Sequence, residues 1–155
     1  ACLSPRTTSE ALTTFSEVMD YEIIKFSSTT DIPIYHTNVM MSLGEDTALV
    51  CFNVIKEREL SLKLRSDLTQ SGRTVIDLSV NQMNNFLGNA LEVQNKKDEK
   101  LLLMSKAAHD SLTSEQLAKL SERLRVIYFS IPTIEKYGGG SVRCMLAEIF
   151  LKKDK

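Results

Sequence analysis

The clearest chemistry in the chain is a thiol placed just after a run of glycines: Tyr137-Gly138-Gly139-Gly140-Ser141-Val142-Arg143-Cys144-Met145, close to the C-terminus. Consecutive glycines let backbone turn sharply and pass close to another group, so the run holds Cys144 where a reactive thiol has room to act. Such a nucleophile works with an acid/base partner. His36, in Ile34-Tyr35-His36-Thr37-Asn38, is the stronger of the two histidines for that role. Each residue also has a plainer reading. Cys144 is then a small hydrophobe on a strand, and His36 a loop histidine with a structural hydrogen bond.

Other polar positions divide the same way. Asn38 and Asn89 either bind polar atoms of a substrate or cap turns at strand starts. Glu135, three residues before the glycines, either faces the pocket or stands in solvent on a helix or loop, while Cys2 and Cys51 read as core and His109 as an exposed residue before a helix cap. No pair of Cys or His residues has metal-ligand spacing, so no metal is expected. The glycines lack the Gly-Lys-Ser/Thr continuation of a phosphate loop, and Ser141 lacks the Gly-x-Ser-x-Gly context of a hydrolase elbow. No cofactor is expected.

The elements that position these residues form a repeat. Residues 39–43 and 47–52 read as a hairpin turning through Gly44-Glu45-Asp46. Leu60, Leu64 and Leu68 mark a helix over 56–70 ended by Gly72, and 74–78 follows as a strand. The same β-β-α-β order recurs with strands at 89–93 and 100–105, a helix capped by Thr113 and Gln116, and a strand at 125–129. Asn38 and Asn89 lie 51 residues apart, as do Thr74 and Arg125, which sets a period of about 50 residues. A third unit starts near Ser141, with a strand expected over 142–151. Residues 1–26 supply a strand end, a helix capped by Thr7 with Glu10, and a strand over 22–26. The fold class expected is α/β: repeated ββαβ units in a partial α/β-propeller, residues 1–155 forming a single domain of about three units. A propeller would pair the last strand with the N-terminal piece. Its radial arrangement would bring His36, Asn38, Asn89 and Cys144, all at unit starts, toward one axis.

Bulk properties narrow the partners. With 155 residues, 43% hydrophobic and 25% charged, the chain is long enough for a real core. The formal net charge is −1 and the basic residues are scattered, with short clusters at Lys96-Lys97 and in the C-terminal tail, so no nucleic-acid face is expected. No apolar run approaches the roughly 20 residues that span a bilayer. Three distant cysteines suit a reducing compartment, and a cytoplasmic location is expected.

Three stretches resemble one family. Ile34-Tyr35-His36-Thr37-Asn38-Val39-Met40-Met41, then Asn81-Gln82-Met83-x-x-Phe86-x-Gly88-Asn89, and then Ile134-Glu135-x-x-Gly138-Gly139-Gly140-Ser141-x-Arg143-Cys144-Met145-Leu146-Ala147-Glu148 are similar to the amidinotransferase-like citrulline utilization hydrolases. These belong to the guanidino-group-modifying superfamily, the pentein class, with arginine deiminase and dimethylarginine hydrolase. The resemblance covers nearly the whole chain but about the C-terminal half of the family, whose fold is a five-bladed ββαβ propeller. It implies Cys144 as nucleophile on a ureido or guanidino carbon and His36 as acid/base, with a covalent thiol adduct. It also implies Asn38, Asn89, Gly139, Gly140 and Arg143 as substrate-binding, Arg143 and a cationic imidazole favouring the thiolate. The substrate implied is citrulline, with ornithine, ammonia and carbon dioxide as products. One departure stands out, the absence of the family's N-terminal acidic motif; where arginine deiminases carry an acid two positions after the histidine, this chain has Asn38, as the citrulline-hydrolase branch does. Half a propeller also leaves strand edges open, so self-association or pairing with a missing N-terminal half is expected.

Overall fold

A computed structural model of the chain describes residues 1–149. Two three-stranded sheets of identical topology form its centre. In the first, β1 (Met41–Leu43) runs antiparallel to β2 (Thr47–Val50), with Met41 opposite Val50, and β2 runs parallel to β3 (Thr74–Asp77). In the second, β4 (Leu91–Gln94) pairs antiparallel with β5 (Lys100–Ser105), which pairs parallel with β6 (Arg125–Phe129). A parallel pair needs a crossover. The helices α2 (Arg58–Gln70) and α5 (Ser114–Ser121) supply it, and α5 starts at the expected Thr113/Gln116 capping box. The expected ββαβ order is therefore present twice.

Middle strand β2 is buried along its whole length, as a strand covered on both faces must be. Met40, Leu49, Leu78, Leu87, Leu102, Met104 and Leu120 are fully buried in a core shared by both sheets. The units meet at close backbone. A Cβ on Gly88 would lie 2.5 Å from the Val39 carbonyl oxygen and 2.7 Å from the Met40 carbonyl carbon, so only glycine fits there. Around this joint the Ser42 hydroxyl donates to the Ala90 carbonyl at 2.8 Å. The Glu92 carboxylate accepts from the Glu45 amide and the Thr47 hydroxyl, each at 3.1 Å.

Several local expectations need correction. The first helix, α1 (Ser9–Met19), is capped by Thr8 in place of Thr7, because the Thr8 hydroxyl accepts the Ala11 amide at 3.2 Å. The strand expected over 22–26 reduces to a single parallel bridge between Cys2 and Phe26. The strand expected from Asn89 starts only at Leu91, because α3 (Val80–Asn84), with a Ser79/Gln82 capping box, is followed by a 3-10 turn at Leu87–Asn89. His109 precedes the Thr113 cap of α5 as expected but is half-buried, because it lies within a short helix of its own, α4 (Lys106–Ser111), its ring 4.1 Å from that of Tyr128. The strand expected over 142–151 begins instead as a 3-10 turn, Val142–Met145, after which Leu146 has extended backbone with φ −114° and ψ 136°. The end of that expected strand, Phe150 and Leu151, and the basic tail cluster lie outside the described residues. No last strand pairs with the N-terminal piece among the described residues, and the two sheets do not close into a ring.

Candidate active site

The thiol is set by a short segment anchored at both ends. Pro132 starts α6 (Pro132–Gly138), where its missing N–H costs nothing, and Gly139 ends the helix in the left-handed conformation, φ +67°. Gly140 follows for a different reason: a Cβ there would stand 2.9 Å from the Cys144 sulfur. Ser141 and Val142 are buried, and the Cys144 amide closes the 3-10 turn on the Ser141 carbonyl at 3.0 Å. Two buried anchors and a tight turn push Cys144 outward, and it is exposed. Cys2 and Cys51 are buried free thiols, and burial pushes both up from the ordinary cysteine range.

Asn89 is the residue that joins the units at this point. It is 2% exposed and sits at the end of the 3-10 turn before β4. Its Nδ2 donates to the Asn38 carbonyl at 3.0 Å, and its Oδ1 accepts the Ser141 amide at 3.2 Å. These two backbone partners fix which way the carboxamide faces, since a flip would put donor against donor and acceptor against acceptor. The same group then meets Cys144 Sγ from both of its atoms, Nδ2 at 3.3 Å and Oδ1 at 3.5 Å. A thiolate there accepts from the amide nitrogen and a thiol donates to the amide oxygen, so either form of the sulfur has a partner. The Asn38–Asn89 bond spans 51 residues, one full repeat. The starts of all three units thus meet around one carboxamide.

His36 reaches the same neighbourhood from the other side. The loop before it is held by buried Ile34 and by Arg6, whose guanidinium lies 4.4 Å over the Tyr35 ring. His36 itself is exposed and extended, and its carbonyl accepts the Val39 amide of the 3-10 turn Thr37–Val39. It lines a cavity of about 390 Å³ with Tyr35, Thr37, Asn38 and Arg143. Cys144 lines an adjoining cavity of about 290 Å³ with Asn38, Arg143, Leu146 and Glu148. Asn38 and Arg143 form the wall shared by both, with no hydrogen bond between His36 and Cys144. Gly139 is not in that wall. It borders a larger cleft of about 900 Å³ that also reaches His36.

Two site features were not legible as such in the sequence. Glu135, read as facing either the pocket or solvent, instead accepts a 2.7 Å hydrogen bond from the buried Ser141 hydroxyl. Glu148 is the carboxylate that lines the Cys144 cavity; its position after Cys144 in the matched motif was the available signal. Among the described residues no group of three or more His, Cys, Asp or Glu is placed to hold a metal ion, and no helix is long and apolar enough to cross a membrane.

The fold is similar to that of the cyanobacterial arginine dihydrolase ArgZ, with TM-score 0.72 and 16% identity over 99% of this chain and 23% of that one. It is similar also to the N-terminal domain of ArgZ bound to product, with TM-score 0.70 and 16% identity over 94% of this chain and 48% of that one. The ternary complex of AgrE with ornithine and NAD+ gives TM-score 0.70 and 15% identity over 94% of this chain and 19% of that one. The chain therefore spans less than half the length of these structures. No curated protein sequence gives a significant match. Residues 1–151 match the family model of eukaryotic N,N-dimethylarginine dimethylhydrolases, in the superfamily that the three motifs indicated, and the chain belongs to that family.

Proposed function

We propose that this chain carries the nucleophile and the acid/base of a hydrolase acting on the guanidino or ureido carbon of an arginine-like compound. The observation that supports this most is the Asn89 carboxamide, held by Asn38 and Ser141 and presenting both polar atoms to an exposed thiol. In this reading Cys144 Sγ attacks the carbon and forms a tetrahedral adduct. His36 protonates the departing amine, then takes a proton from the water that releases the product from sulfur. A guanidino substrate leaves as a ureido compound plus an amine. Citrulline, the substrate suggested by the motif resemblance, would leave as ornithine, ammonia and carbon dioxide.

Asn89 has its hydrogen-bonding capacity taken up within the chain, so its proposed role is to position the thiol and not to bind substrate. Asn38 and Arg143, in the wall shared by the two cavities, are the proposed substrate contacts. Gly140 gives the sulfur its space, and Gly139 ends α6. No cofactor enters this scheme. The arginine dihydrolase likeness and the dimethylarginine family make guanidino compounds candidates beside citrulline. The test is amine release from citrulline, arginine and N,N-dimethylarginine by the wild type, Cys144→Ala and His36→Ala. Turnover abolished by either substitution supports the reading, whereas activity that survives in Cys144→Ala contradicts it.

A second reading rests on the share of each structural relative that the chain spans and on the single carboxylate, Glu148, in the Cys144 cavity. A guanidinium needs carboxylates to be held and oriented. In this reading residues 1–155 act as one domain of a partial propeller, in a reducing compartment such as the cytoplasm. A second copy or a missing N-terminal half completes the ring. Exposed Val18, Ile32, Tyr137 and Ile149 are apolar surface for such an association. A chain inert alone and active only when associated favours this reading, and a monomer with full turnover excludes it.

A further inference from the structure

We infer that Glu135 is a positioning residue for Cys144, acting through Ser141; this rests on the reading of Cys144 as nucleophile. Ser141 uses all three of its polar groups around the thiol. Its hydroxyl donates to Glu135 Oε1 at 2.7 Å, its amide donates to Asn89 Oδ1 at 3.2 Å, and its carbonyl accepts the Cys144 amide at 3.0 Å. Ser141 is fully buried, so no solvent replaces a lost partner at the hydroxyl. The bond to a carboxylate is charge-assisted, which makes it the strongest of the three.

The consequence follows from crowding. A Cβ on Gly140 would stand 2.9 Å from the Cys144 sulfur and force it to shift, and Asn89 Nδ2 lies 3.3 Å from the same sulfur. Without the Glu135–Ser141 bond Ser141 loses its tie to α6, and its amide and carbonyl carry Asn89 Oδ1 and the Cys144 amide with it as it shifts. In so crowded a place that shift moves the sulfur against its neighbours. The α6 frame favours the arrangement, because Pro132 and Gly139 fix where the helix starts and stops and therefore where Glu135 points.

The test is a double-mutant cycle read at the thiol. Cys2 and Cys51 are buried, so iodoacetamide under native conditions reports on Cys144. Glu135→Ala and Ser141→Ala should each change the alkylation rate by about fivefold in the same direction, and the double variant should match either single one within about twofold. Glu135→Gln, whose amide oxygen still accepts, should stay within about twofold of wild type. Glu135→Asp, which keeps the charge but withdraws it by one methylene, should behave like Glu135→Ala and decides the matter if the alanine variant does not fold. Where turnover is measurable, kcat should fall about tenfold with KM unchanged within about twofold. An unchanged alkylation rate in Glu135→Ala or Glu135→Asp, or effects that multiply in the double variant, overturns the inference. The alkylation cycle needs no substrate. Coupling without turnover therefore overturns the proposed function alone, and Cys144-dependent turnover indifferent to Glu135 overturns this inference alone.

Discussion

Truncating Asn89 should cost the fold far more than truncating the thiol that it faces. In Asn89→Ala the buried Ser141 amide and the Asn38 carbonyl both lose their partner, while the removed carboxamide leaves a small void. An unsatisfied buried polar group costs about 1–3 kcal/mol, so the Ser141 amide together with the half-buried Asn38 carbonyl and the void gives a loss of roughly 3 kcal/mol. For a chain of this size that lowers the melting temperature by about 6–12 °C. Cys144→Ala removes an exposed side chain with weak sulfur hydrogen bonds, and its effect should stay within about 0.5 kcal/mol. Thermal melts of the two variants, followed by circular dichroism in the same buffer, make the comparison. Asn89→Asp adds a check, since an aspartate still accepts the Ser141 amide but, once ionised, cannot donate to the Asn38 carbonyl; it should fall between wild type and Asn89→Ala. An Asn89→Ala protein that melts within about 2 °C of wild type, or a Cys144→Ala protein that loses as much, refutes the claim that the carboxamide ties the units together.

Four further outcomes follow from the same geometry. Gly88→Ala should destabilise by about 2–4 kcal/mol in chemical denaturation, because the new Cβ meets Val39 and Met40 backbone that cannot move aside. Gly140→Ala meets only the Cys144 side chain, so the melt should hold while turnover drops about 10²-fold as the sulfur is displaced. Accepting the Ser27 amide holds the Glu57 carboxyl below the ordinary glutamate range. Its contribution is present above the unfolded value of about 4.3 and is lost as pH falls through the folded value, so the midpoint difference between wild type and Glu57→Gln should shrink from neutral to acid pH. Glu148→Gln should raise KM for guanidino substrates more than for citrulline, because a cation needs the carboxylate and a neutral ureido group does not.

Much of the repeat could be read from the sequence because its signals were periodic and local. Strands β5 and β6 lie where the Lys100–Ser105 and Arg125–Phe129 runs indicated, and Thr113 with Gln116 caps α5. The misses have two causes: contacts distant in sequence, and elements too short or too punctuated to show a period. Residues 142–151 have strand-like composition, but Ser141 and Val142 are drawn into the core and the chain tightens into a 3-10 turn. Residues 22–26 have strand-like composition too, yet pair only at Phe26. Helix α4 is six residues long, too short for an apolar period to show, and α6 begins at a proline that reads from sequence as punctuation. At the site, Cys144, His36, Asn38 and Asn89 were all singled out, but the contact between Asn89 and the sulfur across 55 residues was not. Repeat equivalence pointed Asn89 toward structure and the motif pointed it toward substrate; the carboxamide joins three units and faces the thiol at once.

The most direct test of the central claim, that Cys144 is a nucleophile for amidine-like carbon, is labelling by 2-chloroacetamidine followed by peptide mass spectrometry. One adduct per chain, on Cys144, formed more slowly in His36→Ala and suppressed by excess citrulline or N,N-dimethylarginine, is the predicted result. Labelling that ignores both the His36 substitution and the added compounds, or that spares Cys144, would contradict the account.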